Sequence, residues 1–480
     1  MENNLQKKFY TKKTSPIMKK IIFLFIFSLL LQIPLSFIGS LIFDRGDLYN
    51  KTVISIGNEW GKNQKIIAPV ITISYTDTGI DNEKDIINSK TLAVVPVEKK
   101  FVILPDELNA IIKIKDEIRQ RGIYNATVYN ANMKLKGFFS PKDFPKNKKI
   151  KSYLSIGLSD TKALIKINKL KIGNLEKDLD AMSGTMAVPL ITNGISAELK
   201  LDFNKILEEE KIPFEIDIDF RGSKDISILP LGKKNNIEIS SNWKSPSFSG
   251  ILPSEKNINN NGFSAKWEVS NLVRNYPQII DINEDKYDDF YYDDSYYDDS
   301  YYDDSYYDDS YDENNSNNEN TVIKTGLFDS ITDYTQITRA SKYGILFIMM
   351  SLVIVYIFEV ISRRFTHYVQ YLIVGLSLII FYLLLLSLSE HIGFEWAYLI
   401  SSLAIVIPNS LYIMSLTSNK KLGIGMFFFL SGIYAILFSI LRMEQYALLT
   451  GSLLILTVLY VVMYLTKNTE IFERLENREK

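Results

Sequence analysis

The sequence predicts a membrane protein made of an N-terminal transmembrane anchor, a large β-rich extracytoplasmic domain and a C-terminal five-helix transmembrane block. Three observations lead there: a long uncharged apolar run near the start, five more such runs crowded toward the end, and a polar middle of about three hundred residues with strand-like alternation. Whole-chain averages hide this layout. Over 480 residues the net charge is -2 and the mean hydropathy +0.01. Yet residues 281–320 hold 16 acidic side chains and one lysine, so the other 440 residues carry +13. There is no cysteine, which excludes disulfide scaffolds and thiolate-ligated metals, and two histidines leave little for imidazole chemistry.

Residues 1–20 are a basic segment containing Lys7, Lys8, Lys12, Lys13, Lys19 and Lys20. Residues 21–43 (IIFLFIFSLLLQIPLSFIGSLIF) follow as 23 uncharged positions, about 35 Å of helix at ~1.5 Å per residue and long enough to span. The run exceeds a typical signal-peptide core and no A-x-A-like site follows, so an uncleaved anchor is expected. Residues 44–280 form the β-rich domain. Strands are expected at 66–75, 91–97, 127–136, 197–203, 214–220 and 236–240, where β-branched and aromatic residues alternate or cluster between polar turns. In FEIDIDF, alternation puts Phe214, Ile216, Ile218 and Phe220 on one face and carboxylates on the other. Residues 46–59 suggest a short helix leading off the membrane.

Residues 281–320 contain YYDDS repeated four times at 291–310. A period of five suits neither helix nor strand, and paired aspartates repel one another, so a disordered spacer is expected. The tract lacks the glycine turn and spaced ligands of an EF-hand loop, which leaves diffuse cation attraction as its binding chemistry. Residues 321–342 are a juxtamembrane segment. Within 343–465 five apolar segments follow, at 343–362, 371–389, 397–416, 422–441 and 447–465, and residues 466–480 form a polar tail.

Loop charges set the orientation. With the N-terminus cytoplasmic, the inner segments hold fourteen lysines and arginines and the short outer loops only Arg442. That asymmetry places both termini in the cytoplasm and the polar middle on the extracytoplasmic side.

The chain contains no H-E-x-x-H, G-x-S-x-G, Walker loop or dinucleotide fingerprint. Ser241 and Lys244 match S-x-x-K, with K-T-G at 324–326, the order seen in penicillin-binding proteins and β-lactamases. That chemistry needs serine and lysine one helical turn apart, whereas 236–240 reads as a strand and Pro246 follows at once. The pattern also recurs at 159–162 and 418–421, and no S-D-N element completes it. No catalytic residue, metal site, cofactor or nucleic-acid partner is expected.

Polar residues in the helical block are few. Glu359 lies one turn before Arg363 and Arg364, so an i,i+4 pair with Arg363 is available. Glu390, His391 and Glu395 cluster in a short outer loop, and His367 sits at the inner surface. An intramembrane carboxylate is a functional candidate by default, although the shallow depth of Glu359 favours interfacial ion pairing over a proton relay. Pro408 and Asn409 are expected to kink their span and open a small polar pocket.

Several stretches are similar to the CreD family of bacterial inner-membrane, cell envelope integrity proteins: RASKYGILFI at 339–348, FEV at 358–360 and QYLIVGLSLIIFYLLLLSLSEHIGF at 370–394. In the outer domain SNWKSPSFSG at 241–250, Leu252-Pro253 and GFSAKW at 262–267 also resemble it. The resemblance covers essentially the whole chain, while the YYDDS tract looks like an insertion peculiar to this sequence. It implies an envelope-maintenance role, linked in the family to the CreBC two-component response and to β-lactam stress, and implies no catalytic residues.

The expectation is therefore a non-enzymatic membrane protein, in contact with the lipid bilayer and with an unidentified periplasmic or envelope partner. Glu359, Arg363, Glu390 and His391 are the candidate functional polar residues. Trp243, Phe248, Phe263 and Trp267 are candidate interaction aromatics, with core packing as their competing use. A transporter or transporter accessory built on the helical block is the alternative, and an envelope enzyme comes third.

Overall fold

The computed structural model describes residues 16–80, 94–140, 150–173, 179–187, 191–199, 211–273, 277–282, 321–327, 333–362 and 364–442, with single positions 452, 456 and 460. The chain divides into two units, Thr52–Asp329 and the combination of Met1–Lys51 with Ser330–Lys480.

The first unit is a double β-sheet structure. Its strands begin β1 (Gln64–Ile80), β2 (Val94–Ile103), β3 (Glu107–Arg121), β4 (Tyr124–Phe139), β5 (Ile150–Leu158), β6 (Leu164–Ile172), β7 (Ala181–Ser183) and β8 (Gly194–Glu198). They continue with β9 (Ile212–Ser223), β10 (Asp225–Leu229), β11 (Lys234–Ser241), β12 (Ser247–Gly250), β13 (Glu255–Asn259), β14 (Gly262–Ser270), β15 (Ile279–Asp281) and β16 (Ile323–Gly326). One sheet has seven strands in the order β13-β14-β11-β3-β4-β9-β6. The other has nine, ordered β12-β16-β10-β1-β5-β8-β7, with β2 also on β1 and β15 on β2. Pairing is antiparallel except for β1 with β10 and β3 with β11.

A single apolar core joins the inner faces of the two sheets, running from Ile66, Ile71 and Ile73 of β1 to Leu108, Ala110 and Ile112 of β3. In β9 the alternation holds as expected: Phe214, Ile216, Ile218 and Phe220 are buried, and Glu215, Asp217 and Asp219 occupy the other face. On that outer face Asp217 and Asp219 each accept the amide N–H of Asn132 and of Asn168, and Lys134 lies 3.5 Å from Asp217. Burial works against ionising Asp217. The two amides and Lys134 outweigh it and hold the carboxyl below its usual range.

The second unit is helical. Helix α1 (Pro16–Trp60), whose last turns from Thr52 onward belong to the β unit, is followed by α2 (Asp333–Ser362), α3 (Tyr368–Ile392), α4 (Phe394–Thr417) and α5 (Lys420–Arg442). Each of the five is long and apolar enough to cross a bilayer. Their apolar surface is two-sided. Leu24, Phe27, Leu31 and Leu35 face the bundle, while Phe25, Leu29, Ile33 and Phe37 point outward, which suits lipid rather than water. Small residues let helices approach: a Cβ added at Gly375 would lie 2.5 Å from Leu31, and one at Gly344 would lie 3.0 Å from Leu35. The expected span at 447–465 lies outside the described residues, apart from helical positions at Ser452 and Leu456 and Tyr460.

Three boundaries differ from expectation. The apolar anchor and the helix expected at 46–59 are one 45-residue helix, about 68 Å long at ~1.5 Å per residue, because the charges after residue 43 end the hydropathy and not the hydrogen-bond ladder. The first strand begins at Gln64, two residues before the start expected for it, so the β-rich region expected from residue 44 opens with the end of this helix. Residues 321–342, expected as a juxtamembrane segment, divide between the two units. They supply β16, paired with both β10 and β12, and the opening turns of α2. The repeat tract at 291–310 falls outside the described residues.

Candidate functional site

The strongest polar constellation lies in the helical unit, where the second turn of α1 meets the end of α2 and the start of α3. Glu359 occupies the last turn of α2 and forms an ion pair with Lys20. Its second oxygen accepts the Tyr371 hydroxyl at 2.6 Å. The Lys20 ammonium also donates to the Thr366 backbone carbonyl at 3.4 Å and sits over the rings of Phe365, Tyr371 and Tyr356 at 4.6, 5.6 and 5.9 Å. Lys20 is only 9% exposed. A lysine at the mouth of a span ordinarily reaches for water, and this one turns inward because every group around it can receive a cation.

Glu359 was visible in the sequence as a candidate. Its partner was not, because Lys20 is separated from it by 339 positions and is one of six lysines before the first span that serve equally well to orient it. The expected partner, Arg363, lies outside the described residues, while neighbouring Arg364 is exposed.

At the opposite end of the helices Glu390 accepts the Tyr334 hydroxyl at 3.1 Å and lies 4.0 Å from Arg45 Nε. Here again α1 is tied to the later helices, with Tyr49 against the Tyr334 ring at 5.5 Å. Glu395 pairs with Arg442 between α4 and α5. His391 is exposed. Between these ends α4 runs through Pro408, and the polar pocket expected there is filled. Asn409 donates to Ser377 Oγ and to the Ile405 carbonyl, both at 2.8 Å.

In the β unit the four candidate aromatics form packing. Trp267 is 1% exposed and its indole donates to the Ile251 carbonyl at 2.9 Å. Phe263 is buried beside it, Phe248 meets both rings edge-on, and Trp243 lies half-buried against the same core. Trp267 and Phe263 therefore present no surface to a partner. The S-x-x-K match is likewise built into the fold: Ser241 ends β11 and its hydroxyl accepts the Trp243 N–H at 3.1 Å. In the K-T-G match Thr325 is fully buried and Lys324 lies 3.4 Å from Asp225. Burial is the main influence on Asp225 and raises its carboxyl above the usual range, with Lys324 and Lys224 opposing. Among the described residues no group of three or more histidine, aspartate or glutamate side chains is placed to hold a metal.

Comparison with known proteins bears on the chain as a whole. The family model described as "Inner membrane protein CreD" matches residues 16–472. The "Inner membrane protein CreD" of Escherichia coli (strain K12) is 26% identical over 471 residues, covering 95% of this chain and 94% of its own. Among solved structures, the M1 zinc metallopeptidase from Deinococcus radiodurans aligns with 35% of this chain and 38% of its own at a TM-score of 0.18 and 6% identity. The chain thus spans well under two thirds of that enzyme, and a likeness this slight carries no argument.

Proposed function

The chain belongs to the CreD family of inner membrane proteins, and on that footing we propose that it acts without catalysis in envelope maintenance or stress response, through a β unit held on the periplasmic side. The supporting observation is how charge and connectivity agree. Lys20, Arg364, Lys420 and Lys421 lie in the short segments at helix ends of one sense, whereas the short segments at ends of the other sense, after α3 and α5, carry only Arg442. The β unit enters the chain between the end of α1 and the start of α2, the two helix ends of the opposite sense. By the positive-inside rule the ends rich in lysine and arginine are cytoplasmic, which leaves the β unit outside with the N-terminus inside; the further span expected at 447–465 returns the C-terminus to the same side. On this reading the β unit meets an envelope partner and the helices anchor it or relay its state.

The test compares envelope-stress tolerance in cells carrying Glu359→Gln with His391→Ala against cells in which a short linker replaces the β unit. Loss of tolerance only on removing the β unit is the expected result; normal tolerance without it would sink the proposal. Crosslinking in living cells from exposed β-unit positions would then identify what it touches.

A second reading has one observation in its favour. The buried Lys20–Glu359 pair with Tyr371 is the kind of intramembrane charge that transporters use. If Glu359→Gln alone abolishes tolerance while the protein still accumulates in the membrane, a transporter or transporter accessory becomes the better account.

A further inference from the structure

Lys20 and Glu359 occupy positions that their own helices disfavour. Lys20 lies in the second turn of α1, near the positive end of the helix dipole, and Glu359 in the last turn of α2, near the negative end. Neither charge is held there by local helix electrostatics, so each depends on the other and on what encloses them.

Among the described residues, what encloses the ammonium comes from elsewhere in the chain. Tyr356 and Glu359 are on α2, Phe365 and Thr366 are in the connection that follows, and Tyr371 opens α3. The Tyr371 hydroxyl fixes the Glu359 carboxylate at 2.6 Å without involving α1. One carboxylate, one carbonyl and three aromatic rings therefore surround a cation, and a single helical hairpin supplies all of them. Among the described residues helix α1 contributes only the occupant. The set matches the needs of a primary ammonium: the rings attract its charge, the carboxylate neutralises it, and the carboxylate and carbonyl each accept an N–H. A quaternary ammonium has no N–H to give them, and a hydrated metal ion would leave three ring faces unused.

We propose that the cage of Tyr356, Glu359, Phe365, Thr366 and Tyr371 is a binding site for primary ammonium groups, with Lys20 as its tethered occupant. A free alkylammonium, or the ammonium of an ethanolamine lipid headgroup, takes the place of Lys20 when that side chain leaves. The site would make the seating of α1 responsive to amine-bearing lipid. It stands on the cage geometry and is independent of the envelope-maintenance reading.

The test uses the full chain in detergent. Lys20→Ala vacates the cage, whereas Lys20→Met fills it with an uncharged chain. Millimolar n-propylammonium should raise the Tm of Lys20→Ala saturably, by roughly 2–4 °C. It should leave Lys20→Met and the double variant Lys20→Ala with Glu359→Gln unchanged, and tetramethylammonium at equal ionic strength should do nothing. No rise in Lys20→Ala, or the same rise with every cation, overturns the proposal. In nanodiscs, a higher Tm for Lys20→Ala with ethanolamine than with choline headgroups supports the lipid source; equal values overturn that source and leave the soluble one. Should Lys20→Ala fail to survive purification, acylation of Lys20 in the unaltered protein reads the same site. Because the added amine also consumes reagent, Lys20 is read against exposed Lys420 in the same sample; propylammonium should raise that labelling ratio, and an unchanged ratio overturns the proposal.

Discussion

The indole N–H of Trp60 donates to the backbone carbonyl of Tyr129 at 3.3 Å, which fastens the last residue of α1 to strand β4 inside the β unit. The guanidinium groups of Arg119 and Arg221 lie 4.0 and 4.3 Å from its ring centroid, and Ile56 one turn earlier packs on Ala126 and Val128. Trp60→Ala removes ring, hydrogen bond and both cation–π contacts. Because Trp60 is half-buried, a loss of about 2 kcal/mol is expected, below the range for fully buried tryptophans. Trp60→Phe keeps a ring face for the arginines and should lose only about 1 kcal/mol, the worth of the hydrogen bond. Thermal melting of the full chain measures both, and a Trp60→Ala protein that melts with the unaltered one would show that the pin is ornamental.

Two glycines in the helical unit have equally close neighbours and should behave differently. A Cβ at Gly423 would meet Met414 Cβ at 2.5 Å and the Ser410 carbonyl oxygen at 3.0 Å, atoms fixed to the backbone of α4. A Cβ at Gly375 would meet Leu31 Cδ1, also at 2.5 Å, but that atom ends a flexible side chain. Gly423→Ala should therefore destabilise by about 1–3 kcal/mol, the usual effect of overpacking, and Gly375→Ala by less than about 1 kcal/mol. Equal shifts in detergent melts would contradict the distinction.

Much of the fold was legible where a physical requirement acts on neighbouring residues. A bilayer demands unbroken apolar runs, so the spans stood out, and β9 showed itself because Phe214, Ile216, Ile218 and Phe220 alternate with carboxylates. Strand β3 was missed. Its ELNAIIKIKDEIRQR ends in a charged stretch that resembles a helix surface, and only its register with β4, from Glu107 opposite Phe138 to Arg121 opposite Tyr124, keeps it extended. Trp267 and Phe263 could have been assigned to the core, since they share parity with Ala265 and Val269 in β14, all four of them buried. No comparable signal existed for Lys20 with Glu359. Local periodicity carries nothing about a pair 339 positions apart.

Orientation can be read directly in a chain without cysteine. Lys420→Cys lies at the start of α5, at a basic helix end, and Leu272→Cys lies on the β unit at a position 88% exposed. A membrane-impermeant maleimide added to cells with a permeabilised outer membrane should label position 272 at once. It should label position 420 only after the inner membrane is opened. Labelling of 420 in intact spheroplasts would reverse the assigned topology and remove the β unit from the periplasm.

Asp225 gives the β unit a pH dependence whose sign is opposite to that of the outer sheet face. Burial holds its carboxyl above the unfolded value, so the folded state retains a proton that the unfolded state has released. Its favourable contribution is complete below the unfolded value, near 3.9 for an aspartate, and is lost as pH rises through the folded one. For Asp217, whose value is lowered, the contribution is present above the unfolded value and lost on acidification. Asp225→Asn stays neutral at every pH. Relative to the unaltered protein, its stability should rise as the pH increases above about 4 and level off once the folded carboxyl has ionised. Lys324 limits the gain, because it loses the carboxylate 3.4 Å away, although its partial exposure lets water replace that contact. Full-chain melts at matched pH values isolate the difference, since Glu215 and Asp217 titrate alike in both proteins. Parallel curves across that window would mean that Asp225 releases its proton no later in the folded state than in the unfolded chain.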